Sequence, residues 1–535
     1  MIITVFTKKT IVFKFDKITL MYIFYKFRHL LFWLVVCLFS TFTAYLAYNN
    51  SQSSRFGDEV AHWIGGHYAL IGKELYKDLQ FNHQPLNYYF STAVEFFTSP
   101  DNSYLYVSRQ RLSILLYGLF WNILYYILLG PYMLLFSLIF EVSKYWYSGH
   151  KLLGETLAVY PTVFITGIFI QSLFFKKEIS RLKLFLTSTS SFVAGFSLLP
   201  IWLVIVPMNL FIIISQKYKK KAFLWLSAPF LTLCGIMFLF INPYNLYKET
   251  YLYNVQYFLP VTEQYRPTIL QLILFPFYIF TAPFSESKFV IGVIIFLFFI
   301  TGLISFREKK FIKWIILFGL FILSNFFRVN DYNYTSFHLL PWYGILLVSV
   351  ISLNFNFYTL KKQKRNIFFI TQNIILVTLF IYLLYSQKDI WKVKDLATEH
   401  YINYSYSETY GRAINILKSP KDQLIVVPVD PLIYWIAKID IGTRLLEFYP
   451  WIYPIPEYRE EVLDKFINDP PEFFVDVNID KSKEFESKIY NIVLSKYIRL
   501  NYMGKPSKLY VLEKKYKSIT DDQWKEIEPF MFTRL

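Results

Sequence analysis

Hydrophobic and polar positions divide the chain into two unequal parts. Through about residue 390, nearly uncharged windows of about 17 to 20 residues recur, each long enough as a helix to cross a hydrocarbon core of roughly 30 Å. They fall at 30–48, 112–130, 131–147, 155–175, 184–199, 200–216, 222–242, 289–305, 311–328, 337–355 and 366–386. This pattern predicts a polytopic α-helical membrane protein. One further stretch, 268–285, is apolar enough to cross but contains Pro276 and Pro283. It reads as re-entrant or interfacial, because a crossing there would move the basic segment 307–313 to the wrong side of the membrane.

Beyond residue 387 charges return, and short β-rich runs alternate with helical segments. "QLIVVPVD" and "EFFVDVN" predict strands, "PLIYWIAKI" and "YREEVLDKFIND" predict helices, and "YIRLNYMGKPSKLYVLEKK" predicts a hairpin turning at Met503-Gly504-Lys505. The expected organisation is a basic N-terminus at 1–29, a membrane domain at 30–386 and an α/β domain at 387–535.

Composition agrees with the pattern: 55% of the 535 residues are hydrophobic, 21% aromatic and 17% charged. The formal charge of +17 is informative only through its placement. The segments 1–29, 176–183, 217–221, 307–313 and 361–365 hold more than the whole basic excess, and each lies beside a predicted span. That is the positive-inside bias, with the N-terminus and these loops cytoplasmic and residues 49–111, 243–288, 329–336 and 387–535 on the outer face. It describes a multi-pass protein of the cell (plasma or inner) membrane and gives no support to a nucleic-acid partner. Cys37 and Cys234 both lie in apolar segments, so neither a disulfide framework nor a thiolate site is expected. The N-terminal span shows no small-residue cleavage pattern and reads as a retained anchor.

Polar chemistry concentrates in the first outer loop, "RFGDEVAHWIGGHYALIGKELYKDLQFNHQPLNYYF". Phe56, Val60, Ile64, Tyr68 and Ile71 have helical spacing, which puts Asp58 and Glu59 in a first turn with His62 four residues beyond Asp58. Acids at a helix start are favoured by the helix dipole alone. The additional Lys73, Tyr76, Asp78 and His83 go beyond that, since so many polar side chains at a membrane boundary are expensive unless they line a cavity. His62, His67 and His83 with Asp58 or Glu59 lack a diagnostic metal spacing. No cofactor is expected, and a divalent ion stays an open alternative.

The order "DE" at 58–59, "GKELYKD" at 72–78 and "HQPLNYY" at 83–89 resembles the first outer loop of the GT-C membrane glycosyltransferases. The likeness is to the family 39 group of protein O-mannosyltransferases and aminoarabinose transferases. "RLSILLYGL" from Arg111, "GETL" at 154–157 and "FHLLPWYGILL" at 337–347 extend it downstream, whereas Gln84 stands where that family usually has proline. The resemblance implies a GT-C fold of about 11 to 13 transmembrane helices with an extracytoplasmic α/β domain. It implies a sugar donor carried on a polyprenyl phosphate and a protein, lipid or glycan acceptor.

The chemistry fits an outer-face site, where there is no nucleotide-sugar pool; the chain also lacks Asp-x-Asp and Gly-x-Gly-x-x-Gly motifs. A phosphate is already a good leaving group, so one base suffices where a glycosidase needs two carboxyl groups. The expected roles are Asp58, with Glu59 beside it, as the base of an inverting transfer, and Arg111, Arg328 and Lys73 as donor-phosphate ligands. Arg109 competes with Arg111 by position, and Tyr76, Asp78, His83 and His338 are the expected substrate contacts. Glu155 and His338 serve equally well as helix caps. The alternative is a transporter or flippase of lipid-linked sugars, which would place ionisable groups near the bilayer midplane, often in repeated halves. A non-catalytic scaffold is a third reading, in which Asp58 is dispensable.

Overall fold

The computed structural model describes residues 17–261, 268–281, 283–325, 334–360, 366–448, 451–480 and 483–534. Arg328, the basic run 361–365 and the first 16 residues therefore lie outside the described residues. Every predicted span overlaps a helix. The first part of the chain runs α1 (Lys17–Asn49), α2 (Gly57–Leu70), α3 (Pro85–Thr98), α4 (Ser103–Leu128), α5 (Met133–Ser143) and α6 (Gly154–Phe175). Among the described residues six helices are by themselves long and apolar enough to cross a membrane, while Leu199–Ser215, Ile269–Tyr278 and Phe311–Leu323 are shorter apolar helices. The ambiguous stretch 268–285 holds only the 10-residue helix Ile269–Tyr278, about 15 Å long and too short to cross.

Burial separates the middle of the bundle from its rim. α6 and the span Phe337–Phe357 are almost wholly enclosed by protein, whereas His29–Asn49 and Phe369–Ser386 expose most of their surface, as apolar helices facing lipid do. The two enclosed helices approach closely at Gly344, where a Cβ would meet Val159 Cγ2 at 2.6 Å. Pro161 inside α6 leaves Leu157 O without its helical donor, and the Tyr117 hydroxyl of α4 supplies one at 2.6 Å. The buried Glu141 is paired with Lys144 (2.5 Å) and receives Asn122 Nδ2 (2.8 Å) and the Tyr160 hydroxyl (3.0 Å). At these points polar groups inside the bundle satisfy one another.

The C-terminal part carries a six-stranded sheet, β1 (Gln423–Val427), β2 (Asp440–Ile441), β3 (Phe473–Asp476), β4 (Tyr497–Tyr502), β5 (Lys505–Leu512) and β6 (Phe532–Thr533). The strand order is β2-β1-β3-β5-β4-β6, with β1 parallel to both β2 and β3 and the other pairs antiparallel. Helices Leu432–Ala437, Pro456–Asn468 and Glu484–Lys496 connect the strands. The hairpin turns at Met503 (φ 51°) and Gly504 (φ 71°), the two left-handed residues that a tight two-residue loop needs. This sheet unit packs on the loop 49–111. Gln80 N donates to Arg444 O (2.8 Å), the Tyr68 hydroxyl to Ile439 O (2.8 Å), and Trp435 stacks on Tyr106 with ring centroids 4.3 Å apart.

Gly344→Val is expected to destabilise the bundle by about 1 to 3 kcal/mol, since a stiff branched side chain must displace Val159. A lowered thermal midpoint of the purified protein in detergent checks this.

Candidate active site

The site begins at the first turn of α2. Neighbouring helical residues point about 100° apart, so Asp58 and Glu59 meet different surroundings. Glu59 is fully buried, and Arg111 of α4 grips it through both oxygens, Nε to Oε1 at 3.0 Å and Nη2 to Oε2 at 2.7 Å. Leu152 N adds a longer contact to Oε1 at 3.4 Å. The other N–H groups of Arg111 go to the linker before α2, reaching Ser53 O (2.7 Å), Ser53 Oγ (3.1 Å), Ser54 O (3.1 Å) and Ser51 O (3.4 Å). A guanidinium has five N–H groups, and here all are engaged. Arg111, expected to meet a phosphate, has none left for one in this arrangement.

Asp58 is different. It is half-buried, and among the described residues its carboxylate has no hydrogen-bond or ion-pair partner. Phe56, two residues before it, is met by two further segments of the chain. Phe56, just before the helix, packs on Phe337 with centroids 4.9 Å apart. His338, next to Phe337, holds Glu155 at the start of α6, Nδ1 to Oε1 at 2.6 Å. The segment preceding α6 supplies Lys151, whose Nζ lies 5.5 Å from the centre of the Phe56 ring.

Lys151 is 6% exposed, and among the described residues its ammonium has no hydrogen bond or ion pair. Burial holds its pKa below the ordinary lysine value, with Glu59 opposing and Arg111 reinforcing the shift. A nearly buried cation without an anion is costly, and such groups collect at functional sites. Nothing in the first outer loop points to it. The signal was there, however: on the predicted topology Lys151 sits in a short loop on the outer face, where the positive-inside bias makes a lysine unusual.

One turn beyond Asp58, His62 meets His83 through Nε2 and Nδ1 at 2.7 Å, while its Nδ1 contacts Leu152 O at 2.9 Å. A carbonyl only accepts, so His62 carries its proton on Nδ1, and His83 Nδ1 must donate to His62 Nε2. Burial, then repulsion from His83, push the His62 pKa down to about 3. His62 is a neutral strut joining α2, the 150–155 segment and the loop at His83.

The structure therefore brings Asp58, Glu59, Arg111, His83 and His338 into one region. Lys73 and Asp78 lie elsewhere, beyond the far end of α2, while Tyr76 reaches back to the site only through the backbone of His83. Lys73 pairs with Asp440 of β2 (2.7 Å), and Tyr76, at φ 67°, is buried with its hydroxyl on His83 O (2.8 Å). Exposed Asp78 accepts from Glu74 N (2.9 Å). These residues shape the turn that meets the sheet. Arg109 donates to Thr98 O at the end of α3, and His67 contacts Glu95 (2.8 Å). Among the described residues no three His, Cys, Asp or Glu side chains converge as a metal site.

Two expectations follow from this geometry. Breaking the enclosed pair by Glu59→Gln or Arg111→Met should cost about 3 to 5 kcal/mol, with the double variant well short of the sum; denaturant or thermal unfolding of all three measures this. Because the folded-state pKa of His62 is depressed, its contribution to stability is complete above the unfolded value near 6.5 and is lost as pH falls towards 3. At pH 5 the loss is about 2 kcal/mol, and a His62→Gln variant should show a correspondingly flatter fall of unfolding midpoint with pH.

The sequence matches no protein-family model and no curated protein. The fold does have a counterpart. The solved structure of ArnT from Cupriavidus metallidurans, bound to undecaprenyl phosphate, aligns with a TM-score of 0.50 over 90% of this chain and 97% of that one, at 9% identity. The architecture is the GT-C fold, a polytopic helical membrane domain with a C-terminal sheet unit.

Proposed function

We propose that this chain is an integral membrane glycosyltransferase that moves a sugar from a polyprenyl-phosphate carrier to an acceptor on the outer face of the membrane. The observation that carries the reading is the contrast between two adjacent acids. Glu59 is consumed by Arg111, whereas among the described residues neither Asp58 nor the nearly buried Lys151 has a hydrogen bond or ion pair. A free carboxylate and a free ammonium, held apart by separate elements, suit a reaction in which a proton is taken at one point and a phosphate released at another. The shared fold with ArnT, a protein solved with undecaprenyl phosphate bound, supports a lipid-borne donor. The motifs at 58–59, 72–78 and 83–89 support a relationship to family 39 in particular.

In this scheme an acceptor hydroxyl or amine attacks the anomeric carbon on the face opposite the phosphate. The new glycosidic bond forms as the carbon–oxygen bond to the phosphate breaks, with inversion, and the proton of the nucleophile passes to Asp58. The electron pair of the broken bond stays on the polyprenyl phosphate. Lys151 neutralises the charge that develops there, which a desolvated cation does better than a hydrated one. Arg328 keeps its expected phosphate role, and Arg111 acts by positioning, holding the first turn of α2 against α4. His338 and Glu155 form the wall facing Phe56 and take the substrate-contact role. The rival transporter reading would lean on ionisable groups within the spans, yet Glu141 and Lys144 there already satisfy each other.

Incubating the purified protein with a panel of radiolabelled polyprenyl-phosphate sugars, with and without candidate acceptors, tests the proposal. Asp58→Asn should lower transfer by about 10² to 10⁴-fold with an unchanged unfolding midpoint. Lys151→Met should lower it by about 10² to 10³-fold. Full activity of Asp58→Asn would end the proposal.

A further inference from the structure

At the other end of α2, a cleft of about 380 Å³ opens between the loop 49–111 and the sheet unit. Small-ligand pockets span roughly 300 to 1,000 Å³. The walls are His67 and Tyr68 of α2, Glu95 of α3, and Trp435, Lys438 and Asp440 of the sheet unit. Glu95 is 8% exposed, and its two oxygens are unequally served. Oε1 contacts both His67 Nδ1 (2.8 Å) and Trp435 Nε1 (3.1 Å), whereas Oε2 is buried with no partner. The Tyr106 hydroxyl, on the ring that stacks against Trp435, gives its proton to Trp63 O (2.8 Å) instead. A buried acceptor left unmatched costs about 1 to 3 kcal/mol, so Glu95 is a carboxylate with hydrogen-bonding capacity in reserve at the cleft wall.

The charges at the cleft select what kind of ligand fits. Lys73, bridged to Asp440 at 2.7 Å, and exposed Lys438 stand against Glu95 and Asp440, so the formal charges balance. An anion would face two carboxylates and a cation two ammonium groups. A neutral polyol meets neither penalty. Its hydroxyls can donate to Glu95 and accept from Lys438, while its C–H faces lie against Trp435 and Tyr68. His67 lies nine residues along α2 from Asp58, about 13 Å at the helical rise.

We infer that this cleft binds a neutral saccharide and, resting on the transferase reading above, that it holds a sugar unit of the acceptor remote from the one that reacts. The sheet unit then contributes directly to acceptor choice, through Trp435 and Lys438. Both walls are needed, which accounts for the extensive seam between the sheet and the loop 49–111.

The test is binding of lactose, maltose and N,N′-diacetylchitobiose to the full chain in a sugar-free detergent, followed by saturation-transfer NMR at millimolar ligand. At least one sugar should bind, and Glu95→Gln should weaken it by about tenfold or more. Ile71 lines the rim and is 60% exposed, so Ile71→Trp blocks the mouth without touching buried packing and covers the case in which Glu95→Gln misfolds. Asp58→Asn should bind the sugar as the unaltered protein does. Absence of binding by all three sugars, or binding that Ile71→Trp leaves unchanged, would overturn the site. The transferase reading fails separately, through sugar transfer that survives Asp58→Asn.

Discussion

The grip of Arg111 on Glu59 is the constraint from which the rest of the site follows. Taking both charges out of water is expensive, and their attraction offsets the penalty only when the geometry is good and the remaining hydrogen-bonding capacity is filled. Here the carboxylate is held through both oxygens, and the other guanidinium N–H groups close on Ser51, Ser53 and Ser54. The pair therefore fixes three things together: the first turn of α2, the start of α4 and the linker from α1. The backbone turn that carries Asp58 is fixed through its neighbour.

The same linker is held from the far side by the sheet unit. Tyr404 donates its hydroxyl to Ser53 O (3.2 Å), Asn403 donates to Gln52 O (3.0 Å), and Arg55 pairs with buried Asp430 (2.7 Å). Membrane helices, linker and sheet thus converge within a few residues of Asp58. Many of the polar groups across this region are matched in this way. Among the described residues Asp58 and Lys151 have no hydrogen bond or ion pair, and Glu95 Oε2 is buried without a partner on a residue that lines the cleft.

Much of this architecture was legible in the residues. Apolar windows identified the helices of the bundle, because in lipid a helix must be apolar over nearly its whole length. The hairpin at Met503-Gly504 and strands β1 and β3 were legible too, from β-rich runs ending at turn residues. The two-residue strands β2 and β6 were not, since strands that short exist only through the neighbours they pair with. The site was half legible. Asp58 and His62 could be placed on one helix by spacing, but nothing local says that Arg111 closes on Glu59, 52 residues away. Lys73 looked like a site cation because it is near α2 in sequence, and its partner Asp440 belongs to a strand that no pattern announced.

The most direct test of the account is a structure of the protein with a polyprenyl phosphate bound. The account predicts the phosphate within hydrogen-bond reach of Lys151 Nζ, with both Glu59–Arg111 contacts intact and Asp58 facing the carbon that would carry the sugar. A phosphate seated on Arg111 with Glu59 released, or one placed away from both Lys151 and Asp58, would contradict it.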